Sequence, residues 1–141
     1  MRITRTVASR RPAPEVFAYL SDFSTTTQWD PGTVSTERLS GDGGVGTRYS
    51  NTSKFNGRQT HLIYEVIEFI PGELIRLRGE NKSITAVDTI TVTPVFDGTR
   101  VTYDADFTFK GIAAIAAPFL KGAFRKLGDE AAVGLRKALA N

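Results

Sequence analysis

With no cysteine and a single histidine, His61, any chemistry in this 141-residue sequence falls to carboxylates, tyrosines, hydroxyls, lysines and arginines. A thiol nucleophile, a disulfide framework, a Cys-ligated zinc or iron–sulfur site and any multi-histidine metal site are excluded, so no metal and no cofactor is expected. Among the carboxylates Asp88 stands apart, because strand alternation sets it on one face with Ala86 and Ile90. A carboxyl buried in such company has its pKa raised unless a cation or hydrogen-bond donors compensate. It would then anchor a ligand hydroxyl or amine or serve as a general acid/base. The structural alternatives are a bulge that turns it outward or an arginine that pairs with it.

Tyr49, Tyr64 and Tyr103 share that face and can orient a ligand through their hydroxyls, or simply pack with those hydroxyls satisfied by water. Asn51, Ser53 and Glu68 add polar points to it. Asp104 and Asp106 fall on the opposite, outward face, as does His61, which has no nucleophile nearby in the pattern to activate. Trp29 is a candidate for the pocket wall or, equally in keeping with its place after two short helices, a packing anchor. Gly41 to Gly46 spells G-x-G-x-x-G, but a dinucleotide site needs a helix opening there, and here a strand follows. The glycines read instead as a flexible hairpin loop able to gate a cavity.

Turn chemistry supplies the elements that position these groups. Asn56-Gly57 and Asp97-Gly98 favour two-residue hairpins, Pro71-Gly72 suits a type II turn, and Gly79 to Lys82 looks like another reversal. They divide the chain into strands near 46–55, 58–70, 73–78, 83–96 and 99–110, an antiparallel meander. The Asn56-Gly57 turn sets Leu62 opposite Asn51 and Tyr64 opposite Tyr49. The Pro71-Gly72 turn sets Glu68 opposite Ile75 and Val66 opposite Leu77, and the Gly79 turn sets Leu77 opposite Ile84. The Asp97-Gly98 turn sets Val92, Ile90, Asp88 and Ala86 opposite Tyr103, Ala105, Phe107 and Phe109. All four turns agree on one mainly apolar face, and such agreement supports the assignments. Its reverse carries Ile63, Ile67, Val87 and Val95, a dimer surface or scattered exposure.

Upstream, 1–9 reads as a first strand, Pro12-Ala13-Pro14-Glu15 opens a short helix to about Leu20, and Ser24 caps a second short turn ending near Trp29. A strand near 34–39 follows. From about 113 to 140 the spacing of Leu120, Phe124, Leu127, Ala131, Leu135 and Ala138 predicts one long helix, started or kinked by Pro118. Gly122, Gly128 and Gly134 inside it point to close packing or to looseness. Arg125/Asp129 and Lys126/Glu130 are spaced for ion pairs on its solvated side. The fold class is therefore α+β: a curved seven-stranded antiparallel sheet wrapped round a long carboxy-terminal helix, with two short helices after the first strand. One helix cannot cover such a sheet, so an apolar cavity of about 300 to 1,000 Å³ is expected between them.

The whole chain, 1–141, reads as a single domain. Its net charge is +3, and Arg2, Arg5, Arg10 and Arg11 crowd the amino end, where solvated side chains are the expectation rather than a nucleic-acid site. The first twenty residues have no apolar signal core and Ile112 to Leu120 is too short to span a bilayer, so a cytoplasmic protein without integral membrane association is expected.

Two segments carry a resemblance: Ala13-Pro14-Glu15-Val16-Phe17-Ala18-Tyr19-Leu20-Ser21-Asp22-Phe23 and the following Trp29-Asp30-Pro31-Gly32. With Gly98-Thr99-Arg100-Val101-Thr102, Phe109-Lys110-Gly111 and the order of elements, they resemble the helix-grip fold of the START and Bet v 1-like superfamily, in particular its bacterial polyketide cyclase/dehydratase and lipid-transport branch. Gly41 to Thr47 is similar to the glycine-rich loop of the Bet v 1 proteins. The resemblance covers nearly the whole chain and implies binding of lipids, sterols, polyketides, hormones or flavonoids, with catalysis in a minority of members. The leading expectation is a binder of a hydrophobic small molecule or lipid, monomeric or homodimeric. The alternatives are a cyclase/dehydratase-type enzyme using Asp88 and tyrosines, and an interaction module. The expected pocket residues are Trp29, Tyr49, Asn51, Leu62, Tyr64, Asp88, Ile90, Tyr103 and Phe107, with Phe119, Leu120 and Phe124 from the long helix.

Overall fold

The computed structural model describes residues 1–140. Its strands are β1 (Arg2–Ser9), β2 (Thr33–Ser40), β3 (Arg48–Phe55), β4 (Arg58–Ile70), β5 (Leu74–Glu80), β6 (Ile84–Val95) and β7 (Gly98–Phe109). They form one antiparallel sheet in the order β1-β7-β6-β5-β4-β3-β2, so the meander from β2 to β7 is completed by β1 pairing back onto β7. Between β1 and β2 lie α1 (Ala13–Leu20), a 3-10 turn (Phe23–Thr25) and α2 (Thr26–Trp29). After β7 come α3 (Ile112–Ala116), a 3-10 segment (Ala117–Leu120) and α4 (Lys121–Ala138). This is the helix-grip architecture: a curved sheet folded over a carboxy-terminal helical arm.

Asn56 and Gly57 both have positive φ (52° and 80°), as a type I′ hairpin requires, and the β3/β4 register follows as expected. Gly72 (φ 76°) completes a type II turn closed by the Glu73 N–H on the Ile70 carbonyl at 3.0 Å. Two other hairpins slide from the expected register. Gly98 pairs with Val95, leaving Phe96 and Asp97 as the turn, so Ile90 faces Tyr103, Asp88 faces Ala105 and Ala86 faces Phe107. Gly79 sits inside β5 opposite Tyr64, and the reversal moves to Asn81, whose Oδ1 accepts the N–H groups of Ser83 and Ile84. Leu77 therefore meets Asp88 and not Ile84. Both slides are even, so every side chain keeps its face.

One shift is odd, and it exchanges faces. A β-bulge between Val66 and Glu68 puts Glu68 opposite Arg76 on the outer surface, where they form a 2.6 Å ion pair. Phe69 turns inward instead, edge-on to Phe17 with centroids 5.5 Å apart. The bulge hides a ring and solvates a carboxylate, which corrects the expected inward Glu68.

At the amino end α1 buries Ala13, Val16, Phe17 and Leu20, and Asp22 rather than Ser24 caps the following turn by accepting the Ser24 N–H. The carboxy-terminal arm is broken rather than continuous: Pro118 lacks an N–H, and the chain passes through the 3-10 segment before α4 begins. Two glycines fasten α4. A Cβ at Gly134 would lie 1.7 Å from the Trp29 carbonyl oxygen, and one at Gly128 would lie 2.4 Å from Ile3 Cγ2, whereas Gly122 has open space. Phe124, Ala131, Ala132 and Leu135 face the sheet, and a fully buried Leu such as Leu135 stabilises by roughly 2 kcal/mol. Lys126 pairs with Glu130, but Asp129 pairs with Arg5 of β1 instead of Arg125. Of the other amino-end arginines, Arg2 is held by Asp104 and Arg11 by Glu15.

Candidate functional site

A cavity of about 460 Å³ separates the inner face of the sheet from the carboxy-terminal arm. Its walls are Leu62, Ile84, Phe107 and Phe109 from the sheet and Leu120, Phe124 and Leu127 from the arm. Its lining reaches solvent at Lys54 and Gln59 of the β3/β4 hairpin and at Ser83 of the β5/β6 reversal, beside the half-buried Phe55, Asn81 and Ala113, and this end is its mouth. Phe55, Phe107 and Phe109 all pack on Phe124, with centroids between 4.4 and 5.4 Å away, so one aromatic side chain of α4 organises the wall. The deep end holds Phe23, Trp29, Tyr64, Asp88 and Tyr103.

Nine of the expected pocket residues do line this space: Trp29, Asn51, Leu62, Tyr64, Asp88, Tyr103, Phe107, Leu120 and Phe124. Tyr49 is buried elsewhere, edge-on to Phe23 at 5.7 Å, and Ile90 lies further along β6 in the packed core. Phe119 is turned away from the cavity and is 87% exposed. In the tight 3-10 geometry Leu120 takes the inward position, and its predecessor is rotated about 120° outward. His61 points its ring to the outer face, with Nε2 2.7 Å from Ser50 Oγ, and is nevertheless among the residues that border the cavity. The glycine-rich loop is far from the opening: the Gly46 N–H bonds the Val66 carbonyl and Thr47 is fully buried, at the opposite end of β3. It does not line the cavity and is not its gate.

Asp88 is the electrostatic centre. It faces Leu77 and Ala105 on the neighbouring strands, and among the described residues the only hydrogen bond to its carboxyl comes from the Tyr103 hydroxyl to Oδ2 at 3.3 Å. Oδ1 is buried without a partner, and among the described residues no cation pairs with this carboxyl. Burial, reinforced by the nearby Asp30 carboxylate and opposed by the Tyr103 hydroxyl, pushes the Asp88 pKa up to about 7. Burial together with the Asp88 charge also holds the hydroxyls of Tyr64 and Tyr103 well above the usual tyrosine range. Trp29 packs edge-on to Tyr103 at 5.5 Å, and its indole Nε1–H is likewise buried without an acceptor. Trp29 is thus both anchor and wall.

Asp30 is not singled out by the sequence, where it stands only within Trp29-Asp30-Pro31-Gly32. Its Oδ1 accepts the Gly32 N–H at 3.1 Å and its Oδ2 the Thr33 hydroxyl at 2.9 Å, which hold it at the cavity edge. Burial raises its pKa against those two donors. Asp-Pro-Gly signals a turn, but nothing local to it announces a second carboxyl near Asp88. Asn51 is fully engaged by the wall: its amide donates to Thr36 Oγ1 and its oxygen accepts from Ser53, both at 2.8 Å. Among the described residues no cluster of three His, Cys, Asp or Glu is arranged to hold a metal ion.

A seven-stranded grip on a carboxy-terminal arm, enclosing an apolar cavity, defines a START/Bet v 1-like protein. Residues 1–140 match the family described as polyketide cyclase / dehydrase and lipid transport, and the chain belongs to that family. Among solved structures it is similar to the Zhui aromatase/cyclase of Streptomyces sp. R1128, with a TM-score of 0.83 at 14% identity over 99% of this chain and 93% of that one. It is also similar to a START superfamily protein of Mycobacterium smegmatis, with a TM-score of 0.81 at 17% identity over 98% and 96% of the two chains. A protein of Thermus thermophilus matches with a TM-score of 0.82 at 14% identity over 99% and 97%. At these identities the likeness is one of fold. No curated protein matches the chain by sequence.

Proposed function

We propose that this protein binds a hydrophobic small molecule in the cavity and holds it at the deep end through a hydrogen bond to Asp88. The observation that carries the reading is a 460 Å³ apolar space whose buried polar end is one carboxyl without a cation. That volume falls in the range of about 300 to 1,000 Å³ typical of sites for such ligands, and a few polar groups among apolar walls are their usual lining. A neutral Asp88 donates to a ligand carbonyl, and an ionised one accepts from a hydroxyl or amine, while the Trp29 N–H is a further donor awaiting a partner. The family and the aromatase/cyclase fold relative accord with a ring-bearing or polyketide-like ligand. Mass spectrometry of native protein extracted with organic solvent tests this. One apolar species in near-equimolar amount supports the reading, and a cavity that refuses every apolar probe overturns it.

A second reading, that of a cyclase/dehydratase-type enzyme, draws on the Asp88 pKa near 7, where one group both gives and takes a proton. In it Asp88 transfers the proton and Tyr103 fixes the carboxyl while the walls fold the substrate. Asp88→Asn separates the two, since an enzyme loses turnover while retaining its ligand, and a binder has no turnover to lose.

A further inference from the structure

From Gly111 to Leu120 the chain has no polar side chain at all, and Lys110 and Lys121 bracket the run. At helical spacing Ala113, Ala117 and Leu120 fall on one side, and these are its half-buried residues, two of them lining the cavity. Ile112, Ile115 and Phe119 fall on the other side, within about 60° of one another at 100° per residue, and are 87%, 74% and 87% exposed. A surface helix apolar on both faces has one face covered by its own protein and one left uncovered.

Charge indicates the cover. The three segments that surround the cavity mouth are residues 54–60, 80–83 and 110–122. They are neighbours, since Phe55 stacks at 4.4 Å on Phe124, two residues beyond the third segment, and Lys110 Nζ donates to the Asn81 carbonyl at 3.2 Å. Together they carry five cations, Lys54, Arg58, Lys82, Lys110 and Lys121, against the single carboxylate Glu80. That net +4 exceeds the +3 of the whole chain, leaving the remainder at −1. Exposed aliphatic and aromatic side chains ringed by lysine and arginine are the composition that lies in a bilayer interface, with rings and branched chains at the acyl boundary and cations on anionic headgroups. No helix among the described residues is long and apolar enough to cross a membrane, so the contact is peripheral.

We propose that the cavity-mouth end docks on an anionic membrane surface, inserting Ile112, Ile115 and Phe119 while Lys54, Arg58, Lys82 and Lys121 contact the headgroups, so that the cavity opens toward the lipid. The proposal rests on the outer surface and stands apart from the identity of any bound molecule.

Vesicle flotation tests it with full-length protein and two compositions, pure phosphatidylcholine and phosphatidylcholine containing phosphatidylglycerol. Wild type floats with the anionic vesicles and weakens steeply with added salt, as an interaction screened over a Debye length must. The triple variant Ile112→Ser, Ile115→Ser, Phe119→Ser and the double variant Lys54→Glu, Arg58→Glu each lower partitioning at least about tenfold, the latter on the scale of about 1 kcal/mol per basic residue at such a surface. Circular dichroism matching wild type shows that the variants fold. Failure of wild type to float, or equal flotation of folded variants, overturns the proposal. So does a wild-type dimer that the triple variant dissolves without any vesicle binding, because the patch is then covered by a second copy.

Discussion

Asp88 ties the stability of the fold to pH through a single buried carboxyl. An ordinary aspartate titrates near 3.9, whereas the folded chain pushes this one up to about 7, so the native state holds a proton that the unfolded chain releases. Stability from this group is fully present below about pH 4 and drains away as pH rises through 7. The span is about three pKa units, or about 4 kcal/mol at the upper end. Asp88→Asn has no such proton to lose, so its urea midpoint falls less between pH 5 and 8 than that of wild type, any remaining slope coming from the raised Asp30 carboxyl. A wild-type profile rising over that range would place a cation or further donors on the carboxyl. Asp88→Ala changes affinity for a ligand that carries a hydroxyl, amine or carbonyl by roughly 1 to 3 kcal/mol, the scale of a buried polar partner. His61→Ala, by contrast, leaves probe affinity unchanged, because the imidazole lies across the sheet on Ser50.

The elements are held by close approach, and two glycines of one helix separate packing from propensity. Gly134→Ala drives a methyl into the Trp29 carbonyl, so α2 or α4 must move, and chemical denaturation should register a loss of about 2 kcal/mol or more. Gly122→Ala meets nothing and should gain about 0.5 to 1 kcal/mol from helix propensity alone. Equal effects at the two positions would mean that α4 is not seated on Trp29. Much at this scale was legible in the sequence because Asn56-Gly57 and Pro71-Gly72 dictate turn geometry locally, and because even slips at Gly98 and Gly79 leave faces intact. What escaped depends on partners distant in sequence. The bulge that exchanges Glu68 for Phe69 answers to Arg76 and Phe17. The outward turn of Phe119 is local instead: Pro118 announces the break, but the 3-10 geometry sets the rotation. Asp30 joins Asp88 only once α2 is folded against the sheet.

At the scale of the whole molecule the governing fact is a surplus of sheet over helix. Seven strands present more apolar face than α4 can cover, so space stays open between the sheet and the arm. That surplus was readable from strand count and helix length, whereas the cavity's polarity required the register. The central claim, that this space takes up one hydrophobic molecule, has a built-in reporter, because Trp29 is the only tryptophan in the chain and lines the cavity. The decisive measurement is a titration of an apolar fluorophore followed by quenching of Trp29 emission, in wild type and in the Ile112→Ser, Ile115→Ser, Phe119→Ser variant. The account requires saturable quenching with a stoichiometry near one in both proteins. Absent quenching, or probe binding that vanishes with the exposed patch, would contradict it.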